Sequence, residues 1–91
     1  MKTQQEIQKY IAQIVEEISL DQRTATDVHP GQRIISDLGF DSLDYASILL
    51  RCEKWLGIKV KEDGVDWSKI TTVGELAAFL ESNQDANDFR P

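Results

Sequence analysis

Ile7, Tyr10, Ile11, Ile14, Val15 and Ile18 recur at intervals of three and four, the mark of a helix with one apolar face. Thr3 and Glu6 precede them as a Thr-x-x-Glu capping box, which predicts where that helix starts. A second helical pattern opens at Asp41, the expected N-cap with Asp44 as its box partner, and runs to Trp55 or Leu56 before Gly57 ends it. Val73, Leu76, Ala77 and Leu80 form the inner stripe of a third, with Phe79 at its edge and Thr72 and Glu75 as another box. From Ser82 to Pro91 the chain is polar enough to predict a frayed tail.

Between the first two helices lies a loop of about twenty residues, far above the usual connection length, so it is expected to carry function. Asp21, Thr24, Thr26, Asp27, Pro30 and Gly31 supply its turn chemistry. Val28, Ile34, Ile35, Leu38 and Phe40 are read as anchors pinning it to the helices, with Gly39 permitting a tight turn. After the second helix, Ile58 and Val60 alternate with Lys59 and Lys61, predicting an extended connector with its apolar side turned inward. Residues 63 to 69 allow one short helix or turn presenting Val65 and Trp67. The predicted fold is all-α: a small bundle of three main helices plus one short helix, with residues 1–82 as one domain and 83–91 as a flexible polar tail.

The second helix carries two apolar stripes. Tyr45, Ile48, Leu49, Cys52 and Leu56 follow the core-facing template, whereas Leu43, Ala46 and Leu50 are offset around the helix by roughly 150° to 200° and cannot face the same core.

Composition narrows the class. A chain of 91 residues makes one domain with a small core, and no run is apolar enough to span a membrane. The N-terminus lacks the apolar stretch of a secretory signal, so a cytoplasmic address is expected. The single cysteine, Cys52, allows neither an internal disulfide nor a metal cluster and is read as a small core residue. A net charge of −6 disfavours nucleic acid and anionic membranes as partners, and the chain is expected to be a monomer.

Ser42 sits at the first turn of the second helix, after the long loop and beside two acids. As a catalytic nucleophile it lacks a base in view, since the only histidine, His29, is on the loop, and no Gly-x-Ser-x-Gly elbow surrounds the serine. A hydrolase is disfavoured on that ground, and His29 is assigned no role. As a helix-start residue Ser42 is unremarkable, because Ser and Asp are favoured there. An Asp-Ser-Leu tripeptide does not choose between a structural and a functional serine.

Context does. Leu38-Gly39-Phe40-Asp41-Ser42-Leu43, followed by Asp44, resembles the attachment motif of the acyl carrier family, the phosphopantetheine-binding acyl, aminoacyl and peptidyl carriers. Glu53, Ile58 and Thr71-Thr72-Val73 fall at that family's spacing, and the likeness extends from Ile7 to Leu80. The resemblance implies that Ser42 is a substrate rather than a catalyst, bearing covalent 4'-phosphopantetheine transferred from coenzyme A by a phosphopantetheinyl transferase. A loading ligase or transferase would place an acyl or aminoacyl group on the arm's thiol as a thioester, and a downstream synthase or transferase would collect it. It further implies that Asp41, Leu43, Asp44, Ala46, Ser47, Leu50, Arg51 and Lys54 face partner enzymes. The alternative for the Leu43, Ala46 and Leu50 stripe is that the loop covers it.

The chain departs from the family where that second helix is usually strongly acidic. Ser47 stands at a position often acidic, and Arg51 and Lys54 add positive charge, which favours dedicated, secondary-metabolite-type partners over those of ordinary fatty acid synthesis. Alternatively, these cations pair with acids such as Glu53 or Asp44. In carriers of long acyl chains the bundle admits the tail, and here Tyr45, Trp55 and Trp67 are expected to fill that volume, favouring short acyl or aminoacyl cargo. A function of a different class remains, a helical interaction module with the carrier fold and no arm.

Overall fold

The computed structural model describes residues 2–19, 24–60 and 63–87. Three helices form the bundle: α1 (Gln4–Ile18), α2 (Ser42–Leu56) and α3 (Val73–Asn87). Two single 3-10 turns interrupt the connections, Ala25–Asp27 within the long loop and Trp67–Lys69 ahead of α3. The second matches the predicted short piece, whereas nothing in the periodicity announces the first.

Each helix begins as its capping residues dictate. Thr3 Oγ1 accepts the Glu6 N–H at 3.2 Å while Glu6 accepts the Thr3 N–H at 2.9 Å, so two otherwise orphaned donors are satisfied reciprocally. That backbone hydrogen bond from Thr3 also holds the Glu6 carboxyl below its ordinary range. Asp41 and Asp44 repeat the arrangement at α2 with distances of 2.8 and 3.2 Å. Thr72 and Glu75 repeat it at α3, both at 3.0 Å. Gly57 closes α2 in the left-handed conformation at φ 70°, a geometry that costs glycine nothing.

The core lies where the three inner stripes meet. Ile7, Ile11, Ile14 and Val15 of α1, Ile48, Leu49 and Cys52 of α2, and Val73, Leu76, Ala77 and Leu80 of α3 are buried together. The connector contributes Val60, whose N–H donates to the Glu53 carboxylate at 2.7 Å and so ties the chain back to α2 as it leaves.

The long loop is held by α3. The Val73 and Gly74 N–H groups, which a helix cannot satisfy internally, donate to the carbonyls of Gln32 and Pro30 at 3.0 and 2.8 Å. Ile34 N–H returns a bond to the Thr71 carbonyl at 2.9 Å, and Arg33 pairs with Thr72 in an isolated antiparallel bridge. Ile34 and Leu38 are buried beneath this seam, with Val28 and Phe40 partly buried beside it. Ile35 is not an anchor as its composition suggests. It is 50% exposed, because Ile34 takes the inward position and its neighbour must point away.

The polar stretch after Leu80 also differs from expectation. It continues α3 through Asn87 rather than fraying from Ser82, because Gln84 is buried and works for the N-terminus. Its amide accepts the Lys2 N–H at 2.8 Å and donates to the Lys2 carbonyl at 2.7 Å, and Glu81 accepts the Gln4 N–H at 3.0 Å. The rest of the predicted tail, residues 88–91, lies outside the described residues.

Candidate functional site

Asp41 sets the position of Ser42. With the Asp41 side chain turned back onto the Asp44 N–H, the helix must begin at the next residue, and Ser42 occupies its first position, exposed. Gly39, at φ 77°, turns the chain into this start from the buried Leu38. The Ser42 hydroxyl forms no hydrogen bond with a described residue and stands next to the positive end of α2, where an anion is better tolerated than elsewhere on a helix. His29 is exposed on the loop, its N–H donating to Gln32 at 2.8 Å, and it is not among the residues lining the surface around Ser42.

Ser42 opens onto a cleft of about 550 Å³ between the loop, α2 and the 67–71 segment. Its walls are mostly apolar, with Ile35, Ala46, Leu49, Trp67 and Ile70, and Arg33, Ser36, Ser68 and Thr71 add polar groups. Tyr45 also lines the cleft. Its hydroxyl donates to the Ile70 carbonyl at 2.6 Å, joining α2 to the segment opposite, and its ring meets Trp67 edge-on at 6.1 Å. Trp67 in turn meets Phe79 at 5.6 Å. Partial burial, reinforced by the Glu75 carboxylate, pushes the Tyr45 phenol up to about 12, so it stays a hydrogen-bond donor throughout the neutral range. The loop side chains here carried no period from which their convergence was readable; the Ile34-Ile35 pair was the one available signal, since adjacent residues cannot both face a core.

Two of the three aromatic residues expected near the cargo are therefore at the cleft. Trp55 is not. It stacks on Tyr10 of α1 with ring centroids 4.1 Å apart and Lys2 over its face at 5.1 Å, and it is absent from the cleft lining.

The outer stripe of α2 is open to solvent. Leu43 is 76% and Leu50 53% exposed, with Ala46, Ser47 and Lys54 exposed alongside, so the loop does not cover this face. Asp41 is exposed and Asp44 half-buried at its head, both engaged in the cap. Arg51 departs from the alternative pairing: its guanidinium reaches Glu17 on α1, not Glu53 or Asp44. Lys54 has no ion pair with a described residue. Cys52 is fully buried, and burial pushes its thiol up to about 12, which leaves no reactive thiolate at neutral pH.

A small helical bundle with an exposed serine at the head of its second helix, opening on an apolar cleft, has the architecture of a carrier. Residues 6–80 match the family model described as the phosphopantetheine attachment site, and the chain belongs to that family of carrier proteins. Among curated relatives, the chain is 34% identical over 73 residues to the acyl carrier protein of Helicobacter hepaticus, covering 80% of this chain and 90% of the relative. It is 33% identical over 82 residues to the acyl carrier protein of Thermotoga maritima, covering 89% and 95%. The meromycolate extension acyl carrier protein of Mycobacterium tuberculosis matches at 29% over 85 residues, covering 93% and 70%. Family membership implies a covalently attached 4'-phosphopantetheine, and it does not favour an armless interaction module. No helix among the described residues is long and apolar enough to cross a membrane.

Proposed function

We propose that Ser42 carries the phosphopantetheine arm and that the protein is a discrete carrier of short acyl or aminoacyl groups in a dedicated biosynthetic pathway. The observation that supports this most is the placement of an exposed hydroxyl at the first position of α2 on the edge of an apolar cleft. Attachment is the work of a phosphopantetheinyl transferase with magnesium. Ser42 Oγ attacks the phosphorus of coenzyme A that bears the pantetheine, a new P–O bond forms, and 3',5'-adenosine diphosphate leaves as the hydroxyl proton passes to the transferase. The protein itself is not catalytic. No described side chain hydrogen-bonds Ser42 as a base would, and the protein's contribution is to present the hydroxyl without unfolding.

A loading ligase or transferase then acylates the thiol, and a downstream synthase or transferase collects the group. These enzymes dock on the α2 face, where Leu43, Ala46 and Leu50 provide the apolar contact, Asp41 and Asp44 lie near the serine, and Ser47 and Lys54 lie along the row. Arg51 flanks that row while paired with Glu17. Lys54, which forms no ion pair with a described residue, favours partners with an acidic patch toward the far end of α2, where an all-acidic helix would repel them. Short cargo is favoured because Tyr45 and Trp67 put aromatic bulk into the cleft wall, with Phe79 against Trp67, where a chain of many methylenes would have to lie. A monomer acting in the cytoplasm, without nucleic acid or membrane as partner, accords with the acidic surface.

The test is mass. Incubation with coenzyme A and a promiscuous transferase is expected to add one phosphopantetheine to the wild-type protein and none to Ser42→Ala, with both melting at the same temperature within a degree or so. Undiminished loading of the alanine variant would place the arm elsewhere.

A further inference from the structure

The cleft beside Ser42 contains one cation, Arg33. Its backbone is fixed on every side. The N–H donates to the Asp37 carboxylate at 2.8 Å, the carbonyl accepts from Asp37 and Leu38 at 3.0 Å each, and the residue pairs with Thr72 across the seam to α3. The side chain thus leaves from a rigid point while remaining exposed. Its guanidinium forms no ion pair with a described carboxylate, the Asp37 carboxylate being engaged with its backbone N–H.

The chemistry around Ser42 is asymmetric. On the helix side stand Asp41 and Asp44, two carboxylates that repel an anion, and on the cleft side stands a guanidinium that forms no ion pair with a described residue. A phosphodiester is an anion at every physiological pH, and a planar guanidinium is the side chain best matched to its two free oxygens. We propose that Arg33 is a positioning residue for the arm: it pairs with the phosphodiester formed on Ser42 and lays the pantetheine across the cleft toward Trp67 and Thr71. The inference rests on Ser42 being the attachment point. The cleft suits what would lie in it, since Ile35, Trp67 and Ile70 offer apolar surface to the geminal methyl groups, and the hydroxyls of Ser36 and Thr71 offer partners to the two amides.

Loaded wild-type protein, Arg33→Gln and Arg33→Lys are to be compared by phosphorus-31 and amide-resolved nuclear magnetic resonance. All three are expected to gain the arm's mass, since Arg33 is not the acceptor. An exposed ion pair of this kind biases the arm's position by about 2- to 5-fold. In the wild type, attachment is therefore expected to shift the amides of Ser36 and of residues 67–71, and added salt to weaken those shifts. Arg33→Gln is expected to reduce them by a similar factor and narrow the phosphorus line, and Arg33→Lys to restore part of both. Arm-induced shifts in Arg33→Gln equal to those of the wild type, with full loading, would overturn the role of Arg33 while leaving the attachment at Ser42 intact. No mass gain in any of the three would overturn the attachment reading itself, and this inference with it.

Discussion

The two sides of the bundle are built on opposite terms. Where α1 meets α3 and the end of α2, nearly every group has a partner: the Gln84 amide takes both polar groups of Lys2, Glu81 takes the Gln4 N–H, Tyr10 stacks on Trp55, and Arg51 reaches Glu17. Along the outer face of α2 and around Ser42, outside the capping box, side chains are left open. Leu43, Leu50 and Ile35 are exposed, Ser42 has no described hydrogen-bond partner, and a cleft stays open beside it. The closed side holds the fold, and the open side leaves apolar side chains and a hydroxyl facing solvent. That division permits changes at the site with little effect on stability.

The sharpest way to break the comparison is to remove one apolar side chain on each side. Ile11 is completely buried between helices, so Ile11→Ala is expected to cost about 2–5 kcal/mol in denaturant unfolding, enough to unfold much of so small a domain. Leu50→Asp should change stability by no more than about 0.5 kcal/mol, because the residue already faces water, yet it should impair loading or acyl transfer by partner enzymes. Equal destabilisation by both would mean that the α2 face is structural and would remove the docking surface from the proposed function.

Next in size is Gln84→Ala. It strips two hydrogen bonds from a buried amide and leaves the Lys2 N–H and carbonyl to find water at a crowded helix start, an expected loss of about 1–2 kcal/mol by thermal or chemical unfolding. A variant as stable as the wild type would show that the last turns of α3 do not hold the N-terminus.

What the sequence made legible is what is local. The capping boxes at Thr3, Asp41 and Thr72, the stop at Gly57 and the inner stripes of all three helices need only neighbours within a few residues, and each is found where the spacing places it. Ser42 at the head of α2 follows from the same local logic. The rest depends on partners far along the chain. Gln84 looks like tail until the Lys2 backbone, 82 residues away, is seen beside it. Trp55 looks like a cleft residue until Tyr10 takes its face, and Arg51 looks like a surface cation until Glu17 is across from it. The loop is quiet in sequence for the same reason: its carbonyls at Pro30 and Gln32 serve the first turn of α3, an interaction that leaves no periodicity.

Tyr45 lies on the border between the two sides and gives the smallest and most specific test. Its hydroxyl bridges α2 to Ile70, so Tyr45→Phe is expected to cost about 1 kcal/mol at neutral pH. The phenol ordinarily loses its proton near 10 and here is held up to about 12, first by burial and then by Glu75. The folded state therefore retains a proton that the unfolded chain has lost. The resulting stabilisation is fully present below pH 10 and declines as the pH rises toward 12. Because the ring is well short of fully buried, the decline is discounted for solvent to about 1 kcal/mol. Unfolding free energies of wild type and Tyr45→Phe should thus differ at pH 8 and converge by pH 12, whatever lysines and other tyrosines contribute to both. Parallel curves over that range would show that the hydroxyl is open to water and does not bridge α2 to Ile70.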